Sequence, residues 1–174
     1  MPVGSSGFIV SNSNAADIEE LTSVEIASKI QSLGMPAESA PWTDYADRRR
    51  RWITYFRGKS PKSSKPERQV MKAVLDDQII GFIAVHLTTR FGIDSEIQNF
   101  YVSFERQRKG VGRALLASVL PWLIAQQARS LCVGIAEGNP YQGFYLKSGG
   151  YYHNPHWIVW SDLNILGERL AART

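Results

Sequence analysis

The stretch Gln107-Arg108-Lys109-Gly110-Val111-Gly112-Arg113 decides how the rest of this chain is read. On its N-terminal side, Glu96 to Val102 alternates in part and predicts a strand. On its C-terminal side, Gly110 to Gln126 predicts a buried amphipathic helix. Val111, Leu115, Val119 and Trp122 form one stripe, with Leu116, Leu120 and Leu123 beside it. A basic, glycine-bearing turn between a strand and a helix can cradle phosphate. The first N–H groups of a helix have no intrahelical acceptor, and the helix dipole makes that end positive. Gly110 and Gly112 let a ligand approach the backbone, and Arg108, Lys109 and Arg113 add charge. The loop lacks the GK[ST] ending of a Walker motif. It also departs from the dinucleotide fingerprint, because Leu115 stands where a third small residue belongs. No acid occurs between Arg113 and Ala136.

Reading outward, Phe8-Ile9-Val10 is a short apolar run that predicts a first strand, and Ser13 or Asn14 can cap the segment after it. Ile18, Leu21, Glu25, Ile26, Ile30 and Leu33 fall at helical spacings, and Gly34 ends the segment. Trp42 to Phe56 predicts a second helix, with Tyr45, Trp52, Ile53 and Phe56 on one face. Lys59 to Lys65 reads as a basic loop. Gln69 to Leu75 and Gln78 to Leu87 flank Asp76-Asp77 as a hairpin. Leu131 to Ala136 is a short strand, Pro140 to Ser148 a short helix, and Trp157 to Asp162 a last strand. The order is therefore β-α-α-β-β-β-α-β-α-β. It predicts an α/β fold with a mixed, mostly antiparallel central sheet flanked by helices.

With 174 residues, the chain has the length of a single domain, read as 1–174. Its 44% apolar and 21% charged residues argue against disorder. The lone Cys132 excludes an internal disulfide and a cysteine zinc site, and suits a reducing compartment. Met1 to Gly7 has no basic region followed by an apolar run, so it does not read as a signal peptide. The longest nearly apolar stretch, Ala114 to Ala125, falls short of the roughly 20 residues of a spanning helix. A soluble, cytoplasmic protein with no membrane partner is expected. The net charge of +4 is unevenly spread. Residues 41–75 hold ten bases and three acids, and residues 106–113 hold four bases and no acid. Such local excess points to an anionic ligand. His153 and His156 lack a nearby cysteine or carboxylate, so no metal is expected. No G-x-S-x-G elbow occurs, which argues against a serine hydrolase.

Gln107 to Gly112 matches the pattern [R/Q]-x-x-G-x-[G/A]. Phe144-Tyr145-Leu146-Lys147-Ser148-Gly149-Gly150 follows F-Y-x-x-x-G. With Trp160-Ser161-Asp162-Leu163 near the end, these segments resemble the GNAT superfamily of acyl-CoA-dependent N-acetyltransferases. The resemblance covers Arg68 to Asp162. It implies acetyl-CoA as cosubstrate, with pyrophosphate on the backbone N–H groups from Arg108 to Arg113. It also implies a pantetheine arm lying beside Phe100, Tyr101 and Val102 like an added strand, in a gap between that strand and Leu131 to Ala136. Gln107, Arg108, Lys109, Gly110, Val111, Gly112, Arg113, Asn139 and Tyr145 complete the implied cofactor contacts. Asn139 lies six residues before Tyr145, where the family usually has seven. A backbone N–H near Val102 would stabilise the oxyanion.

The chemistry needs an uncharged amine, because a lysine-like amine has a pKa near 10.4. Glu96, on the strand where the family often places a carboxylate, is the candidate base, directly or through water. Tyr145 is the candidate acid for the leaving thiolate. Trp42, Tyr45 and Trp157 are candidates for the acceptor walls. The run Arg48 to Arg51 reads as solvated charge. The expected acceptor is a small-molecule or peptide amine and not nucleic acid, with assembly as a homodimer left open. Two alternatives stand beside this reading: a catalytically inactive acyl-CoA-binding regulatory module, and an acetyltransferase for an RNA-borne amine such as aminoacyl-tRNA.

Overall fold

Asp76 and Asp77 hold positive φ angles of 51° and 60°. That is the geometry of a two-residue hairpin turn whose twist matches the flanking strands. They join β2 (Ser64–Leu75) to β3 (Gln78–Thr88), which pair antiparallel. The computed structural model describes residues 7–172. Around this hairpin lie β1 (Ile9–Asn12), α1 (Ile18–Gln31), α2 (Tyr45–Phe56) and β4 (Ser95–Val102). The chain continues through α3 (Val111–Ala125), β5 (Leu131–Gly134), α4 (Gln142–Lys147), β6 (Tyr151–Asn154), β7 (Trp157–Trp160) and α5 (Leu163–Ala171).

The seven strands form one mixed sheet in the order β1-β2-β3-β4-β5-β7-β6. Among the described residues only β4 and β5 run parallel; the other pairs are antiparallel. The helix α3 crosses between the parallel pair, as such a connection requires. Side-chain alternation sends β3 and β4 residues to two faces. On one face Phe82 and Ala84 pack with Leu21 of α1 and Trp52 and Tyr55 of α2. On the other, Ile83, Val85 and Ile97 pack with Leu115, Leu116 and Val119 of α3 and Leu166 of α5. Local chemistry sets several ends. The Asn14 side chain and Asp17 close a capping box before α1. Asp44 caps α2 and Asp162 caps α5 through their side chains.

One irregularity shapes the molecule. Ala84 faces Asn99 but Val85 faces Ile97, so Gln98 is an extra residue in β4. Such a bulge bends its strand. β4 pairs with β5 only at Ser95–Leu131, Glu96–Cys132 and Ile97–Val133. Past the bulge the two strands part.

Four details differ from the expectations above. β2 starts at Ser64, inside the expected basic loop, where Arg68 donates to Tyr55 O, Ser60 O, Lys65 O and Pro66 O and pins the chain. Tyr151–Asn154 and Leu163–Ala171 add a strand and a helix. Tyr45 is 41% exposed, whereas Arg48 and Tyr55 turn inward. Arg48 is thus not solvated charge; it is 5% exposed and paired with Asp47 and Glu25. Of the N-terminal segment Met1 to Gly7, all but Gly7 lies outside the described residues. No helix among the described residues is long and apolar enough to cross a membrane.

Candidate active site

The loop between β4 and α3 has the character its sequence implied. Gly110 is the residue before the helix and has φ 84°, a conformation that glycine adopts without strain. The first helical bond runs from Ala114 N–H to Gly110 O at 3.0 Å. The backbone N–H groups from Arg108 to Arg113 donate to no acceptor among the described residues. Arg108 and Lys109 are exposed beside them. A Cβ on Gly112 would meet Phe100 and Val102 side chains only at ordinary distances of 3.7 to 3.9 Å. The protein's own packing therefore does not demand glycine there. Six adjacent unpaired donors at a helix start suit a pyrophosphate. The Arg113 side chain does not join them, because it donates to Leu170 O and Ala172 O at 2.9 Å and closes the end of α5.

The strand leading into this loop faces the gap with alternate main-chain groups. Ser103 N–H bonds to Ile80 O. Antiparallel alternation then turns the N–H and C=O of Tyr101 toward β3 and those of Val102 away from it, toward the gap. Phe100 and Val102 project to the α3 face, where they border the core. Tyr101 projects the other way. Its ring lies on the opposite face, 5.8 Å from that of Phe82. Gln107 donates to Val102 O at 3.1 Å and to Ser32 Oγ at 2.8 Å, and it accepts from the Tyr141 hydroxyl at 2.9 Å. This amide ties together the end of α1, the loop and the start of α4. Asn139 accepts from Tyr141 N–H at 2.7 Å and so shapes the turn into α4.

Tyr145 sits in α4 with its ring 6.4 Å from Phe100, 5.7 Å from Phe144 and 5.6 Å from Trp160. Its hydroxyl makes no hydrogen bond to the described residues. Burial pushes its phenol above the usual range, which keeps it protonated at neutral pH, the state a proton donor needs.

Glu96 lies on the α1–α2 face, where β4 still pairs with β5. It is 3% exposed. Its Oε2 accepts from Thr88 Oγ1 at 3.1 Å and Arg90 Nε at 3.2 Å, and lies 3.3 Å from His86 Nε2. The Tyr55 hydroxyl holds the other ring nitrogen of His86 at 3.1 Å. Oε1 has no hydrogen bond among the described residues. Burial would raise the carboxyl's pKa, but His86 and Arg90 outweigh it and hold the group below its ordinary value. Cys132, across from Glu96, is buried, and burial pushes its thiol up to about 12. It behaves as a small apolar side chain.

Sequence reasoning missed His86, Thr88 and Arg90, since nothing local ties them to Glu96. The cross-strand register of β3 and β4 brings them there. Arg90 also joins Glu96 to Trp157, its guanidinium lying 4.4 Å from that ring. Trp157 covers Gly134, where a Cβ would come within 3.2 Å of the indole. Trp42 lies in the loop before α2, 49% exposed, against Arg48 and Lys29. Tyr45 is drawn off to Glu19 on α1, its hydroxyl donating to that carboxylate. Among the described residues there is no group of three or more His, Cys, Asp and Glu placed to hold a metal.

The site is thus a gap in the sheet where β4–β5 pairing stops, with a helix-start run of unpaired backbone donors at its mouth, bordered by Glu96 on one face of β4 and Tyr145 on the other. The model of the acetyltransferase (GNAT) family matches residues 27–151, more than two thirds of the chain. The chain belongs to the GNAT acetyltransferase family. It is 35% identical over 79 residues to the uncharacterized N-acetyltransferase YuaI of Bacillus subtilis (strain 168), a match covering 45% of this chain and 43% of that protein. The fold is similar to that of the PaiA N-acetyltransferase of Thermoplasma acidophilum in complex with coenzyme A. The TM-score is 0.67 at 17% identity, over 87% of this chain and 96% of that one. It is also similar to ribosomal-protein-alanine N-acetyltransferase from Brucella melitensis, with TM-score 0.63 and 17% identity over 88% and 99%.

Proposed function

We propose that this protein transfers an acetyl group from acetyl-CoA to the amine of a small-molecule or peptide acceptor, by direct attack in a ternary complex. The observation that carries the reading is the run of unpaired N–H groups from Arg108 to Arg113 at the mouth of the β4–β5 split. Acetyl-CoA supplies the acetyl group activated as a thioester. Arg108, Lys109 and the Gly110 turn hold its pyrophosphate. Val102 offers its N–H and C=O to the pantetheine, sharing the carbonyl with Gln107. Glu96 Oε1 takes the amine's proton through a water, while His86, Thr88 and Arg90 keep the carboxylate ionised and oriented. As the nitrogen–carbon bond forms and the carbon–sulfur bond breaks, Tyr145 gives its proton to the sulfur. No covalent enzyme intermediate is needed. Trp42 and Trp157 line the acceptor's approach on the α1–α2 face.

Acetyl-CoA should raise the melting temperature, since a ligand that binds only the folded state stabilises it. Addition of an acceptor amine should release free CoA thiol. Absence of a melting shift at saturating acetyl-CoA would refute the cradle assignment. A shift without thiol release across a broad amine panel would favour a binding module instead.

A further inference from the structure

The face that carries Glu96 and Tyr101 also holds a buried charge cluster that the proposed chemistry leaves unused. Glu25 and Lys29 come from α1, Arg48 and Trp52 from α2, and Trp42 from the loop between them. Lys29 Nζ binds Glu25 Oε2 at 2.5 Å, and Trp52 Nε1 donates to Glu25 Oε1 at 2.9 Å. Both oxygens of Glu25 are therefore engaged. Lys29 also donates to Trp42 O at 3.3 Å. Arg48 directs Nε and Nη2 at one oxygen of Asp47, at 3.1 and 2.5 Å. Asp47 in turn is shared with Arg50 and Arg51. Arg48 Nη1 stands 3.8 Å from Glu25 and makes no hydrogen bond among the described residues.

The cluster has more donors than acceptors. An ammonium offers three N–H bonds and a guanidinium five, and neither accepts any. Ser28 Oγ, on the buried side of α1, is enclosed with no partner. Buried donors left unsatisfied are costly. The charges agree: burial draws the Lys29 ammonium below its ordinary value despite Glu25, and Arg48 and Arg51 add repulsion. Trp42 covers the site, its ring centroid 5.2 Å from the Arg48 guanidinium and 5.9 Å from Lys29 Nζ. Phe82 links it to Tyr101 of β4, its ring centroid lying 5.3 Å from that of Trp52 and 5.8 Å from that of Tyr101.

We propose that Lys29 and Arg48, beneath Trp42, bind a carboxylate carried by the amine acceptor, so that the substrate bears both an amine and an acid. This inference rests on the acetyltransferase reading above and names its substrate class. Glu25 within the cluster opposes a dianion, which favours a carboxylate over a phosphate. A second ammonium on the acceptor would find the nearby carboxylates already neutralised, Glu25 by Lys29, Asp47 by Arg48 and Glu96 by Arg90.

The test compares ω-amino acids from glycine to 6-aminohexanoate with the alkylamine and the diamine of matching length, by thiol release at saturating acetyl-CoA. The best amino acid should exceed its matched amine and diamine at least tenfold in kcat/KM. Lys29→Gln should raise the KM for that amino acid tenfold or more, with kcat and the KM for acetyl-CoA within threefold. Lys29→Gln leaves Glu25 short of a cation and can lower stability, so Trp42→Leu, at a half-exposed ring, is the second variant and should raise the same KM alone. Equal or better use of alkylamines or diamines would overturn the proposal. So would an unchanged amino-acid KM in Trp42→Leu. Acetyl-CoA binding with no turnover of any amino acid would sink the substrate class and leave the acetyltransferase reading standing. Loss of acetyl-CoA binding itself in the parent would remove that reading, and the inference with it.

Discussion

Gly110 allows the phosphate cradle to be tested with charge separated from shape. Its φ of 84° is the left-handed region, and a Cβ there would meet nothing within 4 Å. Substitution therefore costs backbone strain without a clash, about 1–2 kcal/mol for an ordinary side chain and less for Asn or Asp, which tolerate this region. For a chain of this size, about 1 kcal/mol lowers the melting temperature by roughly 2–4 °C. Gly110→Asn and Gly110→Asp should lose similar stability, as their side chains differ little in size. They should differ sharply toward CoA. A carboxylate about 5 Å from one phosphate charge, at an effective dielectric of about 20, is repelled by about 3 kcal/mol. That is roughly a hundredfold in Kd. Titration calorimetry with CoA at low, fixed salt measures both variants, and added salt should narrow the difference. Equal Kd values for the Asn and Asp variants would refute the assignment of pyrophosphate to this loop.

Tyr145→Phe should cut kcat by roughly ten- to a thousandfold with CoA affinity near that of the parent, as only a proton donor is removed; full activity would transfer that role to water. Glu96→Gln should slow transfer most at neutral pH and recover as rising pH frees the amine. The same variant should flatten acid unfolding. A carboxyl held below its ordinary pKa in the folded state stabilises above the unfolded pKa of about 4.3, and that contribution is lost as pH falls through the folded value. An acid limb identical to the parent's would contradict the pairing with His86 and Arg90. Replacing Arg49, Lys59 and Lys62 with Ser should leave transfer within a few-fold, because Arg49 is exposed and paired with Glu19 and the two lysines are exposed. A steep loss together with strong salt inhibition would bring an RNA-borne acceptor to the front. Gly150→Ala should destabilise by about 1–3 kcal/mol, since its Cβ would lie 2.7 Å from Ile158 and 2.9 Å from Tyr145 O; an unchanged melting temperature would disprove that packing.

What the amino-acid sequence determined by itself was local chemistry. The Asp76-Asp77 turn, the Asn14 cap, the Gly110 turn and the leucine stripe of α3 each act over a few residues, where steric and hydrogen-bonding preferences suffice. The element order and the cradle came from them. β6 escaped because four residues of Tyr-Tyr-His-Asn carry no alternation. α5 escaped because Gly167 interrupts a pattern that Asp162, Leu163, Leu166 and Leu170 otherwise announce. Tertiary structure alone decided the rest. Which face of the sheet Tyr101 projects from depends on strand register, which a single extra residue at Gln98 shifts. Arg48 and Arg49 are neighbours in the chain, yet packing of α2 on α1 buries the first against Glu25 and leaves the second in solvent. Glu96 became a candidate base with one oxygen held and one free only because β3 delivers His86 and Thr88, and the following turn Arg90, to the same edge. Those contacts join residues six to ten positions away across a strand pair, and helix to helix over more than twenty. Their energies arise only after the chain has closed on itself, so no short stretch of sequence encodes them.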